Sequence, residues 1–174
     1  YGDAGLQPEV AKSYELGFEQ RVLDGHLRFG ATAFKRRTHN MIDFDLFFFR
    51  YNNILRSRVK GIETFIEMRP SEALTLRANY TYVDAEKRED SAAVYSRHLR
   101  RPMHSLNASV DWNAFDTVKL GADLRIVSDS LDGFGGFVRM DGHALLSLRA
   151  AVPLGERIEL YGRIENAGDA DYET

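Results

Sequence analysis

The sequence predicts an all-β protein, a segment of an antiparallel, up-and-down transmembrane β-barrel with about eight long strands. Three observations lead to this prediction. Apolar and polar residues alternate in segments that predict strands of roughly 9–12 residues, which is the length a tilted strand needs to cross a bilayer. Tight turns alternate with long connections along the chain. The longest run of large apolar residues, Leu46–Phe49, is far shorter than the roughly 20 residues of a membrane-spanning helix.

The alternation is strictest between Val118 and Ile126, where every second residue is apolar. In a strand, alternate residues point to one face, whereas on a helix the same residues would be scattered around the axis. The same period returns in seven other segments, so we expect eight strands with one apolar and one polar face. The eight alternating segments are 14–18, 27–33, 62–68, 74–82, 104–112, 118–126, 144–152 and 158–164.

The connections between these segments alternate in length. Asp-Gly, Pro-Ser and Pro-x-Gly sequences predict tight turns, and long connections lie between them. An up-and-down membrane barrel has short turns at its periplasmic end and long loops outside, whereas a Greek-key sandwich has no reason to place all its long loops at one end. The predicted turns are Leu23–His26, Pro70–Ala73, Asn113–Asp116 and Pro153–Arg157. The predicted long connections are Arg37–Arg58, Asp84–Arg101 and Ser128–Val138.

Aromatic residues stand near the ends of the predicted strands. Tyr80 and Tyr82 lie at the long-loop end of one apolar face, and Trp112 lies at the short-turn end of the next. Such positions are typical of the aromatic girdles at membrane interfaces. The alternative interpretation is that these residues are ordinary strand formers.

Composition and motifs argue against several classes of function. The formal net charge is -3, which gives no electrostatic basis for binding nucleic acid, and cysteine is absent. No nucleophile elbow, zinc-protease motif or phosphate-binding loop is present, so we predict no enzyme activity, no cofactor and no metal site. Four loop carboxylates have the chemistry of calcium ligands, although solvated loop residues are the preferred interpretation. They are Asp129, Asp132, Asp169 and Asp171.

The first half of the chain resembles the TonB-dependent outer-membrane receptors at two places. Gly5–Glu9 followed by Ser13–Gly17 looks like the "L-x-P-E … S-Y-E-x-G" stretch of that family. Tyr51–Asn53 leading to Val59–Glu63 is similar to the strand in which the family writes "N … x-G-x-E".

Two further places in the second half carry the same resemblance. Leu76–Ala85 followed by Arg100–His104 resembles the family's "N-Y-T-Y-x-D-A … R-x-P-x-H". Tyr161–Asn166 with Asp169–Glu173 looks like the penultimate strand, "x-E-N-x-x-D-x-x-Y-E". The four stretches follow one another in the family's order, each in the strand or loop where the predicted meander puts it.

The resemblance implies a larger protein with a plug domain inside a barrel of 22 strands, of the plugged class of large barrels. Residues 1–174 would then be the C-terminal portion of the barrel, with the plug domain and the final strand absent. The alternation alone leaves open that about eight strands close into a small barrel of their own. Charged residues on the polar face would pair across strands and with the plug, or would form a merely hydrated wall.

The resemblance also implies a function. We expect an outer-membrane active-transport receptor that takes up ferric siderophores or vitamin B12 and is energised by TonB through the plug. Its partners would be a ferric siderophore or cobalamin, TonB and outer-membrane lipid, with no nucleic acid. Two alternatives are a passive porin or small structural outer-membrane barrel, and a soluble β-sandwich that binds a ligand.

Clustered aromatic residues in the long connection at Asp43–Asn52 are the candidate ligand contact. Exposed aromatic side chains beside an arginine are typical of binding surfaces. The alternative is that this segment continues the strands above the membrane and packs over the barrel rim. The residues we predict to touch ligand are Phe47, Phe48, Phe49, Arg50 and Tyr51.

Overall fold

The computed structural model describes residues 4–45, 48–89, 94–114, 117–133, 137–155 and 157–172. Eleven strands lie within these ranges, and a short 3₁₀ turn, Leu23–Gly25, joins the first two. The strands are β1 (Val10–Val22), β2 (Leu27–Asp45), β3 (Arg50–Ser71), β4 (Leu74–Arg88), β5 (Ser96–Arg97), β6 (His104–Ala114), β7 (Val118–Val127), β8 (Ser130–Asp132), β9 (Val138–Met140), β10 (His143–Pro153) and β11 (Glu159–Ile164).

The long strands form one sheet in chain order. Its path is β1-β2-β3-β4-β6-β7-β10-β11, and every pairing along it is antiparallel. The short strand β5 pairs with β4, while β8 and β9 form a separate small hairpin. Among the described residues, β1 and β11 each have one hydrogen-bonded neighbour, so the sheet is open. The predicted all-β, antiparallel, up-and-down architecture is confirmed.

The register confirms the two predicted faces. One row of paired residues runs across seven strands, and six of its members belong to the predicted apolar face, joined by Thr64 from the same alternating segment. The adjacent rows behave alike, because a period of two keeps paired residues on one face. This row is Phe18, Ala31, Thr64, Tyr80, Leu106, Ile126 and Ala144.

The apolar face is uncovered. Only Ile54, Ala85 and Ala114 are buried apolar residues in the described part of the chain, whereas Leu16 is 80% exposed and Ile62 is 45% exposed. No second large sheet packs on this face within the described ranges, which removes the sandwich alternative. A continuous apolar surface of this size is typical of contact with lipid. No described helix is long and apolar enough to cross a membrane.

The tight turns follow the prediction with small shifts. β1 and β2 are joined at Leu23–His26, and β10 continues to Pro153. Pro70 and Ser71, predicted to lie in a turn, still belong to β3, where the register shifts between Met68 and Ser71. Proline is tolerated there because an irregular strand end needs no ladder hydrogen bond from it.

The prediction that Arg37–Arg58 is a long loop is wrong. This segment is the upper part of a hairpin, because β2 has 19 residues and β3 has 22 residues, about twice the 9–11 that cross a membrane. Above the membrane both faces of a strand are solvated, so the apolar alternation that marks a strand in sequence is lost. The other two long connections are present with shifted bounds. The first begins after Arg88 and contains β5, and the second contains the β8–β9 hairpin, which reaches Met140.

Candidate functional site

The upper part of the β2–β3 hairpin carries the predicted ligand-contact residues. Its ladder continues from the pair His39–Arg56 to the pair Asp45–Arg50. Six residues at about 3.3 Å each give an extension of roughly 20 Å. The hairpin lies at the end of the sheet that bears the long connections, which is the extracellular end of an outer-membrane barrel.

Asp45 organises the tip of this hairpin. Its Oδ1 accepts a hydrogen bond from the backbone N–H of Phe48 at 3.0 Å, and its Oδ2 accepts one from Nδ2 of Asn52 at 3.0 Å. Phe49 has φ 50°, a left-handed conformation that costs a non-glycine residue energy. The carboxylate of Asp45 is therefore bonded to both Phe48 and Asn52 at the tip, where the side chains of Phe48 and Phe49 are exposed.

The aromatic residues of the tip form two contacts. The guanidinium carbon of Arg50 lies 5.3 Å from the ring centre of Phe48, within cation–π range. The ring of Tyr51 meets that of Phe44 edge-on, with 5.2 Å between ring centres. Arginine and aromatic faces are thus presented side by side, with the carboxylate of Asp45 in the same turn.

The structure brings four of the five predicted residues together at the tip. Phe48 is 62% exposed, Phe49 is 67% exposed and Tyr51 is 42% exposed, and Arg50 is exposed beside them. Phe47 lies outside the described residues. Their contact with a ligand remains a prediction. Asp45 was not selected from the sequence, although aspartate at the start of a tight turn is a recognisable turn signal.

Contacts near its middle join the hairpin to the neighbouring segments. Nζ of Lys87 in β4 lies 3.1 Å from Oδ2 of Asp43, and the backbone N–H of Ile42 donates to Oε1 of Glu9 at 2.6 Å. Lower down, the buried side chains of Ser57 and His98 are hydrogen-bonded at 2.9 Å. The middle of the hairpin is therefore bonded to segments on both of its sides.

The inner face of the sheet carries an ion-pair ladder at its periplasmic half. Arg77 lies between Glu67, at 3.3 Å, and Asp111, at 2.8 Å. Arg149 continues the ladder by binding both Asp111 and Asp123. Cross-strand pairing of inner-face charges is confirmed for these residues.

Two more cross-strand pairs flank the ladder. Nε and Nη2 of Arg28 both donate to the carboxylate of Glu19 at 2.8 Å, and Nζ of Lys119 lies 2.9 Å from Glu159. Beside the ladder is a polar depression of about 510 Å³, lined in part by Asn79 and Asn107. The inner wall beside the ladder is therefore charged and rich in amide side chains.

The loop carboxylates considered as calcium ligands do not form a cluster in the described part of the chain, and two of them are paired with arginine. Asp132 accepts two hydrogen bonds from Arg100, at 2.9 and 3.0 Å, which lowers the pKa of that carboxyl. Asp129 lies 3.5 Å from Arg139. Over the described ranges, no group of three or more metal-ligating side chains is assembled.

Comparison with known proteins identifies the chain's relatives. A family model described as "TonB dependent receptor-like, beta-barrel" matches residues 1–167. The ferric-catecholate import receptor Fiu of E. coli K12 superposes with a TM-score of 0.79 at 21% identity, over 98% of this chain and 25% of Fiu. The siderophore receptor PiuA of Acinetobacter baumannii gives 0.76 at 19% identity, over 93% of this chain and 25% of PiuA.

A third solved structure has the same fold and contains a ligand. The ferripyoverdine receptor of the Pseudomonas aeruginosa outer membrane, bound to ferripyoverdine, gives a TM-score of 0.76 at 18% identity, over 96% of this chain and 24% of that receptor. The chain therefore spans about a quarter of the length of the solved receptors it matches. At these identities the structural likeness establishes the fold.

Proposed function

We propose that this chain, which belongs to the TonB-dependent receptor family, is part of the barrel of a receptor that takes up ferric siderophores with energy supplied through TonB. Members of the family are transport receptors of the bacterial outer membrane and not enzymes. Residues 1–174 would be the C-terminal portion of that barrel. The order of the family-like stretches supports this placement, and the quarter-length match to solved receptors fits a chain that is part of a longer barrel.

The exposed tip of the β2–β3 hairpin is the observation that carries the proposal. It presents Phe48, Phe49 and Tyr51 with the cation of Arg50 at the extracellular end of the strands. Aromatic faces and arginine dominate the binding energy of many interfaces, because they bury much area and pair with anions at little cost in entropy. An iron chelate with flat organic faces and anionic oxygens fits this combination.

The choice of substrate rests on the names of the structural neighbours. Fiu is called a ferric-catecholate import receptor, and the Pseudomonas structure contains ferripyoverdine. Cobalamin has no such support and is the alternative substrate. TonB coupling would act through a plug domain, and the ion-pair ladder of the inner wall offers that domain charged groups to pair with.

The test replaces Phe48 and Arg50 by alanine in the full-length receptor and measures affinity for a panel of ferric siderophores and for cobalamin. We expect a loss of about tenfold or more for one class of ferric siderophore, since truncating a hot-spot residue typically costs about 2 kcal/mol or more. Phe137→Ala is the matched control, because Phe137 is 92% exposed in a different extracellular connection.

Three results would contradict the proposal. Binding of cobalamin with no binding of ferric chelates would replace the substrate class. Unchanged siderophore affinity in the Phe48 and Arg50 variants would remove the hairpin tip from the site. An equal loss in the Phe137 control would show that the effect is not specific to this hairpin.

A further inference from the structure

The upper part of the β2–β3 hairpin has no strand beside it. Among the described residues, β1 pairs with β2 no further than His39, and β4 pairs with β3 no further than Arg56. The hairpin continues above these pairs to Asp45 and Arg50. An isolated two-stranded hairpin is only marginally stable in water, so contacts from outside its own ladder decide where the tip is held.

The ladder of the hairpin is interrupted where this upper part begins. The register continues from His39 to Met41 and skips Asn40, whose φ is 53°. A left-handed conformation costs energy, and asparagine is among the few side chains that tolerate it. The upper hairpin is therefore not joined to the sheet by an unbroken ladder.

The half-buried side chain of Asn53 bridges this interruption. Its Nδ2 donates to the carbonyl oxygen of Asn40 at 2.7 Å and to that of Gln7 at 3.0 Å. Its Oδ1 accepts a hydrogen bond from the backbone N–H of Gln7 at 2.7 Å. The amide therefore pairs with the backbone of Gln7 in both directions, as two residues of adjacent antiparallel strands do.

The segment before β1 is joined to both strands of the hairpin by side chains. Pro8 has no backbone N–H with which to extend the ladder of β1 upward. On one side of it Gln7 binds Asn53 of β3, and on the other side Oε1 of Glu9 accepts the N–H of Ile42 of β2 at 2.6 Å. A carboxylate acceptor makes the stronger, charge-assisted bond. These two contacts together are the hairpin clamp.

We propose that Asn53 and Glu9 are positioning residues for ligand capture, because the hairpin clamp sets where the aromatic tip lies above the sheet. This inference rests on the proposed function of the tip. Asn52, the neighbour of Asn53, binds Asp45 in the turn at 3.0 Å, so two adjacent amides join the clamp to the tip. A surface that is already held in place loses less conformational entropy when its ligand binds.

The experiment measures the affinity of the full-length receptor for ferric enterobactin and for ferripyoverdine. The test variant is Asn53→Ser, whose hydroxyl is too short to reach both strands, alone and combined with Phe48→Ala. The matched control is Asn166→Ser, because the half-buried amide of Asn166 also exchanges two hydrogen bonds with one backbone residue, Ala170, each at 3.0 Å. That control removes the same kind of contact from the segment after β11.

We expect Asn53→Ser to lower the affinity about fivefold and Asn166→Ser to leave it unchanged. Because Asn53 acts through the tip, its replacement should have little further effect in the Phe48→Ala receptor, whereas a loss of general stability would add to that of Phe48→Ala. Glu9→Gln, which keeps an acceptor, should recover most of the affinity that Glu9→Ala loses. In the receptor without ligand, the amide of Ile42 should exchange hydrogen a few-fold faster in Glu9→Ala.

A loss of affinity in Phe48→Ala with none in Asn53→Ser would overturn the role of the clamp and leave the proposed function intact. Additive losses in the combined variant, or an equal loss in Asn166→Ser, would assign the effect to general stability and overturn the positioning role. Unchanged affinity in Phe48→Ala, or no binding of either chelate, would overturn the proposed function and the clamp together. If Asn53→Ser does not assemble, Asn53→Asp, which keeps the acceptor and loses both donors, decides the matter.

Discussion

On the inner wall, the space above glycine residues is filled by aromatic rings in the β2–β3 hairpin and by an arginine in the β7–β10 pair. In the hairpin, the ring of Phe34 covers Gly61 and the ring of Phe65 covers Gly30, each across one ladder step. In the β7–β10 pair, Arg149 lies over Gly121 and binds two carboxylates. Apolar side chains therefore cover the glycines in one half of the wall, and an ion-paired side chain covers a glycine in the other half.

This difference follows the lengths of the strands. Strands β2 and β3 leave the membrane and must keep one register over about twice the membrane thickness, and large rings over glycines fix that register by shape. Strands β7 and β10 have 10 and 11 residues and end with the apolar band. Their inner side chains can therefore be charged. A plug domain would bind to these charged side chains.

Gly61→Ala tests the apolar half and has the largest expected effect. A Cβ at Gly61 would lie 2.6 Å from the ring of Phe34 and would also meet the backbone carbonyl of Tyr82, which has little freedom to move. We expect the free energy of unfolding of the full-length barrel to fall by about 2–3 kcal/mol, as for an overpacked core. Urea unfolding in lipid vesicles measures this.

Gly168→Ala is the control for that experiment. A Cβ there meets nothing within 4 Å, so the free energy of unfolding should change by less than about 0.5 kcal/mol. Equal destabilisation in both variants would mean that loss of glycine flexibility, and not the ring of Phe34, sets the cost.

Arg149→Met tests the charged half. The change leaves Asp111 and Asp123 without the cation that joins them, while the methionine still covers Gly121. Because the side chain of Arg149 is partly exposed, we expect a loss of about 1–2 kcal/mol in the free energy of unfolding, smaller than for a buried pair. The loss should decrease at high salt.

Lys119→Met is its matched control, since Lys119 forms one exposed pair with Glu159. An exposed pair contributes little, so a change below about 0.5 kcal/mol is expected. If Arg149→Met were no more destabilising than Lys119→Met, the ladder would be a set of independent surface contacts.

The sequence was sufficient to predict the two faces and the order of the strands. Within the membrane the period of two is visible, because one face meets lipid and the other the lumen. The cover of Gly61 by Phe34 was not predictable, since it depends on a register between residues 27 apart in the chain. The extension of β2 and β3 was missed because residues such as Arg36 and Arg37 are polar on both faces above the membrane.

The contacts that hold the candidate site were also beyond the sequence. His98 and Ser57 are 41 residues apart, and their hydrogen bond joins the β4–β6 connection to the β2–β3 hairpin. No local sequence pattern predicts a contact between residues so far apart in the chain. The aromatic tip, in contrast, was found because clustered exposed aromatics are unusual in any loop.

The smallest expected effect is a pH dependence of the hairpin's base. Burial lowers the pKa of His98, the cations Arg101 and Lys87 lower it further, and Asp43 opposes them. A histidine with a lowered pKa in the folded state is stabilising in its neutral form. Its full contribution is present above about pH 6.5, the ordinary value, and is lost as the pH falls from there towards the folded pKa.

We therefore expect the hydrogen-exchange protection of Ser96 and Arg97, corrected for intrinsic rates, to fall a few-fold between pH 7.5 and 5.5. His98→Gln keeps a side-chain nitrogen for Ser57 but does not titrate, so its protection should be constant over this range. The same pH response in the glutamine variant would assign the effect to another group. A constant wild-type protection would show that His98 does not make the base of the extended hairpin sensitive to pH.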